Sequence, residues 1–311
     1  MRRGRALRIA ILAAVVGHGV WAQTPGGVPA AGAPGLDRAS LLRDLAALSA
    51  DAMEGREAGT PGGERARAFL VDRFTAVGLA PLDGTYLQPV PLPLRGGAFS
   101  RTGANVVGLL AGTRVPARYV VVSAHYDHIG VRNGVVYNGA NDNASGTAAL
   151  LAIAGHFAGR RPAHSLVFAA FDAEESGLIG ARAFVASPPV DRSAIALNLN
   201  VDMIGRETAD RLFVVGTRLQ PPLKPLIERV AGRAPLTLLM GHDDPGDRRD
   251  DWTRDSDHYA FIEAGIPALL FSVEDTAQHH RSTDDYETMT VDFYLRAVQT
   301  VIEVIREFDK H

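Results

Sequence analysis

Cysteine is absent from all 311 residues. Disulfides, thiolate metal ligands and cysteine nucleophiles are therefore excluded together, and any bound metal has to be held by imidazoles and carboxylates. A basic excess is lacking too: 32 Lys and Arg stand against 35 Asp and Glu, a formal charge of −3. Without one the chain cannot track a phosphate backbone, and nucleic-acid binding is not expected. Gly (32) and Pro (18) are too few for a collagen-like or wholly disordered chain. Apolar residues are ample at 46%, with 22% charged, ordinary proportions for a globular protein with a substantial core.

Arg2, Arg3, Arg5 and Arg8 precede an apolar run from Ile9 to Val16, and Val20 and Ala22 occupy the −3 and −1 positions of a small-residue cleavage site before Gln23. This is the pattern of a signal peptide over residues 1–22. The run is too short to cross a hydrocarbon core of about 30 Å as a stable helix. An exported protein, periplasmic or secreted, is expected, with no membrane insertion after cleavage; an uncleaved N-terminal anchor is the alternative. Cleavage would remove four Arg and leave 28 basic against 35 acidic side chains. Residues 23–35 are rich in Pro, Gly and Ala and read as a disordered linker. Residues 36–311 show no repeat and no second break in composition, and one domain is expected there.

Leu41–Leu48 and Arg65–Val77 carry apolar residues at helical spacing, separated by the turn-rich EGREAGTPGG. Four short apolar runs follow: Tyr119–Ser123, Leu166–Phe171, Ala196–Val201 and Ala268–Phe271. Such runs suit strands buried on both faces. Helical patterns at Ala144–Phe157, Ile179–Val185 and Thr290–Phe308 alternate with them. The expected fold class is α/β, a mostly parallel, twisted mixed sheet sandwiched between helices.

Ligands bind such sheets just beyond the carboxyl ends of the strands. The four runs lead into AHYDH, DAEES, DMIGR and, through SVEDTAQ, HHRSTDD. Each delivers His, Asp or Glu to one edge. Every piece also has a plainer reading. In His125-Tyr-Asp127, Asp127 is spaced to orient the imidazole, but the pattern is common, and His128 reads as an ordinary loop residue. Asp142 in NDNASG is equally a helix cap. Glu174 and Glu175 suit one ligand beside one general base, or simply the positive end of a helix dipole. Asp202 ends an apolar strand, where an unpaired carboxylate is costly. His279 and His280 lie in a polar loop.

Taken in order, His125, Asp142, Glu174-Glu175, Asp202 and His280 resemble peptidase family M28, whose prototypes are bacterial leucyl-type zinc aminopeptidases with a zinc-dependent exopeptidase (phosphorylase/hydrolase-like) fold. The likeness also takes in EGREAGTPGGERA, NGANDNASGTAALL, FAAFDAEESGLIGARAF, NVDMIGR and SDHYAFIEAGIPALL. It implies two Zn²⁺ ions, with Co²⁺ or Mn²⁺ also tolerated, bridged by Asp142. His125 and Asp202 would complete one set of ligands, and Glu175 and His280 the other. Glu174 would be the general base, Asp127 the partner of His125 and Asp284 that of His280. A cis bond is implied between Asp142 and Asn143. The implied substrate is a peptide with a free N-terminus, and the exposed site suggests a short one. The tyrosine that some members place before SDH is missing here. Trp252, Tyr259 and Tyr286 are candidates to line the pocket.

Alternatives of the same fold are a single-zinc glutaminyl cyclase and a carboxypeptidase, the latter needing cations such as Arg206, Arg248, Arg249, Arg254 or Arg281. A non-catalytic binding domain would have broken ligands, and none is broken. Oligomeric state and side-chain preference are not legible.

Overall fold

A computed structural model describes, apart from Met1, residues 35–93, 99–247 and 250–310. The signal peptide read at 1–22, nearly all of the linker read at 23–35, and Arg248 and Arg249 lie outside the described residues. The chain first forms α1 (Arg38–Leu48), α2 (Pro61–Val77), β1 (Ala80–Pro81), β2 (Leu87–Pro93), β3 (Phe99–Leu110) and β4 (Val115–His125), then a small hairpin of β5 (Gly130–Arg132) and β6 (Val135–Tyr137). It continues through α3 (Gly146–Ala158), β7 (His164–Phe171), α4 (Ile179–Ala186), β8 (Ile195–Val201) and β9 (Arg211–Val215). The remainder is α5 (Lys224–Ala231), β10 (Thr237–Met240), α6 (His258–Glu263), β11 (Ala268–Ser272) and α7 (Val291–Phe308).

Local chemistry sets several boundaries. The Asp37 carboxylate accepts from the Ser40 amide at the start of α1, and the Thr60 hydroxyl accepts from the Gly63 amide at the start of α2. Pro61 follows Thr60 in the first turn, where a missing N–H costs nothing. Gly78, at φ +84, ends α2 with its amide on the carbonyls of Phe74 and Thr75, a left-handed termination suited to glycine.

The large sheet runs β1-β3-β7-β4-β8-β11-β9-β10, with β2 on β3. The four central strands, β7, β4, β8 and β11, are parallel neighbours, and antiparallel pairings join β3 to β7 and β9 to β11. These four contain the four apolar runs singled out in the sequence, so their carboxyl ends share one edge. The mixed α/β architecture matches the expectation. Strand β2 carries Pro89, Pro91 and Pro93 and pairs only with β3, the edge position at which proline is tolerated.

Alternation along β4 divides the core. Val120, Val122 and Ala124 face a cluster that includes Leu45 of α1, Leu70 of α2, Leu150 of α3 and Val301 of α7. Val121 faces the other side, with Phe184 of α4 and Phe261 of α6. Successive side chains of a strand point to opposite faces, and an all-apolar strand therefore needs helices on both. Among the described residues no helix is long and apolar enough to cross a membrane.

Candidate metal centre

Strand β4 ends at His125, β7 passes through Asp172 and Ala173 to Glu174 and Glu175, and β8 ends one residue before Asp202. The loop after β11 carries His279 and His280, and Asp142 lies in the segment that leads into α3. Ala173, Met203 and His280 adopt left-handed φ angles of +58, +54 and +56, unusual for residues with side chains. Each sits in or beside the turn that presents a site group.

The five side chains expected to bind metal converge. His125 Nε2 is 3.4 Å from Asp142 Oδ1 and 3.3 Å from Asp202 Oδ1. His280 Nε2 is 3.4 Å from Asp142 Oδ2 and 3.1 Å from Glu175 Oε2. Donors about 2.0–2.1 Å from a tetrahedral cation lie roughly 3.3–3.4 Å from one another, so the contacts of His125 with Asp142 and Asp202, and those of His280 with Asp142 and Glu175, are near the length of coordination edges. His125, Asp142 and Asp202 are all mutually close enough to share one ion. Asp142 gives one oxygen to each triad. Its Oδ2 and the Oδ1 of Asp202 are buried without a hydrogen-bond partner, a costly state that a cation relieves. The donor set, two imidazoles and three carboxylates without thiolate, suits Zn²⁺ and tolerates Co²⁺ or Mn²⁺.

The plainer readings of Asp142 and of the Glu174-Glu175 pair fail on geometry. Asp142 does not cap α3, because Asn143 Oδ1 is the acceptor for the Gly146 amide. Glu174 and Glu175 precede α4 by several residues and do not lie in its first turn. The expected cis bond is present between Asp142 and Asn143. The Asn143 side chain donates to the Val201 carbonyl and accepts from Met203, joining the start of α3 to the end of β8.

Electrostatics point to missing positive charge. Burial resists ionisation of Asp142, yet His128, His125 and His280 hold its carboxyl well below the usual range. Glu175 is likewise opposed by burial and by Asp142, but hydrogen bonds from His128 and His280 bring its pKa to about 2. Contacts with Asp142 and Glu175 lift His280 to about 10. For His125, burial pulls down, and Asp202, Glu174, Asp127 and Asp142 together raise it well above the ordinary value.

Glu174 stands apart from both triads, with Oε2 4.0 Å from His125 Nε2. Burial first, then Asp257, Asp202 and Asp127, push its pKa well above the ordinary glutamate range against the pull of His125. Its amide donates to Asp127 Oδ1 at 2.9 Å, and the Glu175 amide reaches Asp127 Oδ2 at 3.4 Å. His125 Nδ1 meets the Asp127 backbone carbonyl at 3.1 Å, and the carboxylate is more distant at 3.7 Å. Asp127 thus fixes His125 through its main chain and the Glu174-Glu175 turn through its side chain.

Two sequence readings are corrected. Asp284 does not orient His280: its carboxylate accepts from the amides of Asn141 and Asp142 and from Arg206. The backbone amides of Asn141 and Asp142 come closer to it than the imidazole. His128 is no ordinary loop residue: its side chain is fully buried, with Nδ1 2.7 Å from Glu175 Oε1. The adjacent HYD pattern drew attention to His125 and gave no sign that the next residue also turns inward. His279 Nε2 lies 3.6 Å from Asp142 Oδ2 but has no contact with Glu175 comparable to that of His280.

Arg56 of EGREAGTPGG lies behind the centre, fully buried. It donates to the carbonyls of Leu48, Tyr126, Asn138 and Gly139. Burial lowers its pKa to about 10 against the pull of Asp142, Asp284, Asp127 and Glu175, so it stays charged at neutral pH. Neighbouring Gly55, at φ +63, has no room for a side chain, since a Cβ would fall 2.4 Å from the Tyr137 carbonyl oxygen. Arg56→Met leaves four carbonyls without their donor, and a loss of about 3–5 kcal/mol is expected. Urea denaturation of the metal-free protein measures it; Arg56→Lys, which keeps the charge, should lose less.

A cavity of about 920 Å³ opens over the triads, walled beyond them by Trp252, Arg254, Asp255, Leu270, Glu274 and Thr276. Trp252 is therefore a pocket residue, and Tyr286 instead lines a smaller cavity of about 410 Å³ with Asp51 and Asn138. Arg206 is tied to Asp275 and Asp284, away from the role of a substrate clamp.

The architecture recurs in solved structures. A zinc aminopeptidase from Bacillus subtilis superposes with a TM-score of 0.73 at 17% identity, covering 89% of this chain and 96% of that one. A glutaminyl cyclase from Bacteroides thetaiotaomicron, bound to N-acetylhistamine, gives 0.71 at 19% identity, covering 88% and 99%. At such identities the likeness is one of fold. In sequence, a probable zinc metalloprotease of Leptosphaeria maculans is 29% identical over 236 residues, 64% of this chain and 52% of that protein. One from Pyrenophora teres is 31% identical over 196 residues, 57% and 40%. The chain spans about half the length of the curated relatives it matches. Residues 105–305, which run from β3 to α7 and hold all five converging side chains, match the model of peptidase family M28, and the chain belongs to that family.

Proposed function

We propose that the chain is a metal-dependent aminopeptidase that removes the N-terminal residue of peptides with two zinc ions. The observation that carries this reading is the division of Asp142, with Oδ1 against His125, which also meets Asp202, and Oδ2 against His280, which also meets Glu175. One ion would be held by His125, Asp202 and Asp142, the other by Glu175, His280 and Asp142. When bound, the pair supplies Lewis acidity that polarises the scissile carbonyl and brings the pKa of water towards ~7.

The chain's own groups do the rest. Glu174, free of both triads, takes the proton of the attacking water and returns it to the departing amine. A carboxyl whose pKa is raised by burial is a stronger base and holds that proton longer than an exposed one. Asp127 keeps Glu174 in place through its amide and orients His125 through a carbonyl. The open cavity admits a short peptide whose α-amine meets carboxylates already gathered at the floor.

Aminoacyl-anilides and dipeptides assayed before and after chelation test the reading, together with N-acetylated counterparts. Free-amine substrates should turn over, chelation should stop them, Zn²⁺ should restore them, and acetylation should abolish cleavage. Undiminished cleavage of acetylated substrates would indicate an endo- or carboxypeptidase. Cyclisation of N-terminal glutamine without peptide hydrolysis would indicate a cyclase.

A further inference from the structure

We infer that His128 is a positioning residue for the second metal: it donates from Nδ1 to Glu175 Oε1 and so reserves Oε2 for the ion shared with His280. The inference rests on the two-ion reading above and extends it to a side chain outside the five-ligand set.

Three observations support it. The contact is short, 2.7 Å from Nδ1 to Oε1, inside the range of a charge-assisted hydrogen bond. His128, Asp142 and Glu175 offer atoms close enough to share a cation, but 2.7 Å is shorter than the roughly 3.3–3.4 Å between two donors of one tetrahedral ion, and we assign the pair as a hydrogen bond. The other oxygen, Oε2, faces His280 Nε2 at 3.1 Å, the spacing of a coordination edge. Glu175 therefore has one oxygen for the imidazole behind it and one for the metal in front.

The second observation is burial. The His128 side chain is fully enclosed, and its Nε2 has no hydrogen-bond partner. Its Nδ1 also lies 3.7 Å from Asp142 Oδ2, so the ring faces two of the carboxylates expected to hold metal, and packing alone does not account for that. The third is the floor beneath the ring. Gly139, at φ +54, lies so close that a Cβ there would come within 2.5 Å of His128 Cδ2. The NGAND segment that carries Asp142 thus also leaves room for the His128 ring.

Partners of ligating groups commonly alter metal affinity by about 10–100-fold. Because His128 acts through Glu175, the effect should fall on one ion of the two. Zinc content and affinity, measured by elemental analysis and by titration against a chromophoric chelator, read this out independently of activity. Wild type, His128→Ala, His128→Asn and His128→Gln are compared, with melting of each metal-free protein as a control for folding. Wild type should hold two ions per chain. His128→Ala should bind one as wild type does and the other about 10–100-fold more weakly. In His128→Asn the carboxamide nitrogen takes the place of Nδ1, and affinity should be largely restored; in His128→Gln the amide projects past it, and the defect should remain.

Wild-type affinity for both ions in His128→Ala overturns the inference and leaves the two-ion reading standing. A defect in His128→Asn as deep as in His128→Ala also overturns it. Fewer than two ions in the wild-type protein overturns the two-ion reading and the inference with it.

Discussion

Replacing Glu174 by Ala is expected to reduce kcat by about 10²–10⁴-fold or more while both metal ions stay bound. Loss of rate and retention of metal belong together because Glu174 lines the cavity beside His125 yet joins neither triad. It approaches His125 Nε2 only to 4.0 Å, whereas the coordination-edge distances are 3.1–3.4 Å. Its backbone is held independently of its side chain by Asp127, so truncation should not disturb the turn that presents Glu175. Glu174→Gln keeps shape and polarity and removes basicity, and should be nearly as slow as Ala. Steady-state kinetics with elemental analysis of the same samples checks both halves. A Glu174→Ala protein that keeps most of its activity removes the residue from the role of base.

Asp142→Ala is expected to have the largest effect on the centre itself, the loss of both ions. Every other ligand serves one triad; Asp142 serves two. Glu175→Ala or His280→Ala should weaken one ion and leave His125, Asp202 and Asp142 Oδ1 as a partial site for the other. Elemental analysis after gel filtration should thus fall from two ions per chain towards one for Glu175→Ala and towards none for Asp142→Ala. The Asp142 variant should also fold, because no hydrogen bond to its Oδ2 is broken: that oxygen has none. Its Oδ1 faces His125, which retains the Asp127 carbonyl. Equal losses in all three variants would mean a single shared ion.

The central strands were legible because an apolar run buried on both faces differs from one that is half exposed, and Tyr119–Ser123, Leu166–Phe171, Ala196–Val201 and Ala268–Phe271 all lie inside observed strands. That His125, Asp142, Glu175, Asp202 and His280 gather at one edge was legible for the same reason, since strand ends in such sheets determine where polar side chains gather. Strands β1, β2, β3, β5, β6, β9 and β10 were not read. In β2 the alternate prolines suppress the strand signal, and only its edge position makes them tolerable. Arg211–Val215 has an apolar run of its own, but nothing local states that it lies antiparallel to β11. Among functional side chains, His128, Arg56 and the true contacts of Asp284 escaped for a common reason. Each depends on a partner distant in sequence: Glu175 for His128, the carbonyls of Tyr126, Asn138 and Gly139 for Arg56, and the amides of Asn141 and Asp142 for Asp284. Spacing within a motif says nothing about such meetings.

Crystals grown or soaked with Zn²⁺, with data collected above and below the zinc absorption edge, test the central claim most directly. Two anomalous peaks about 3.5 Å apart are predicted, one among His125, Asp202 and Asp142, the other among His280, Glu175 and Asp142. A single peak, or none between these side chains at saturating zinc, contradicts the account.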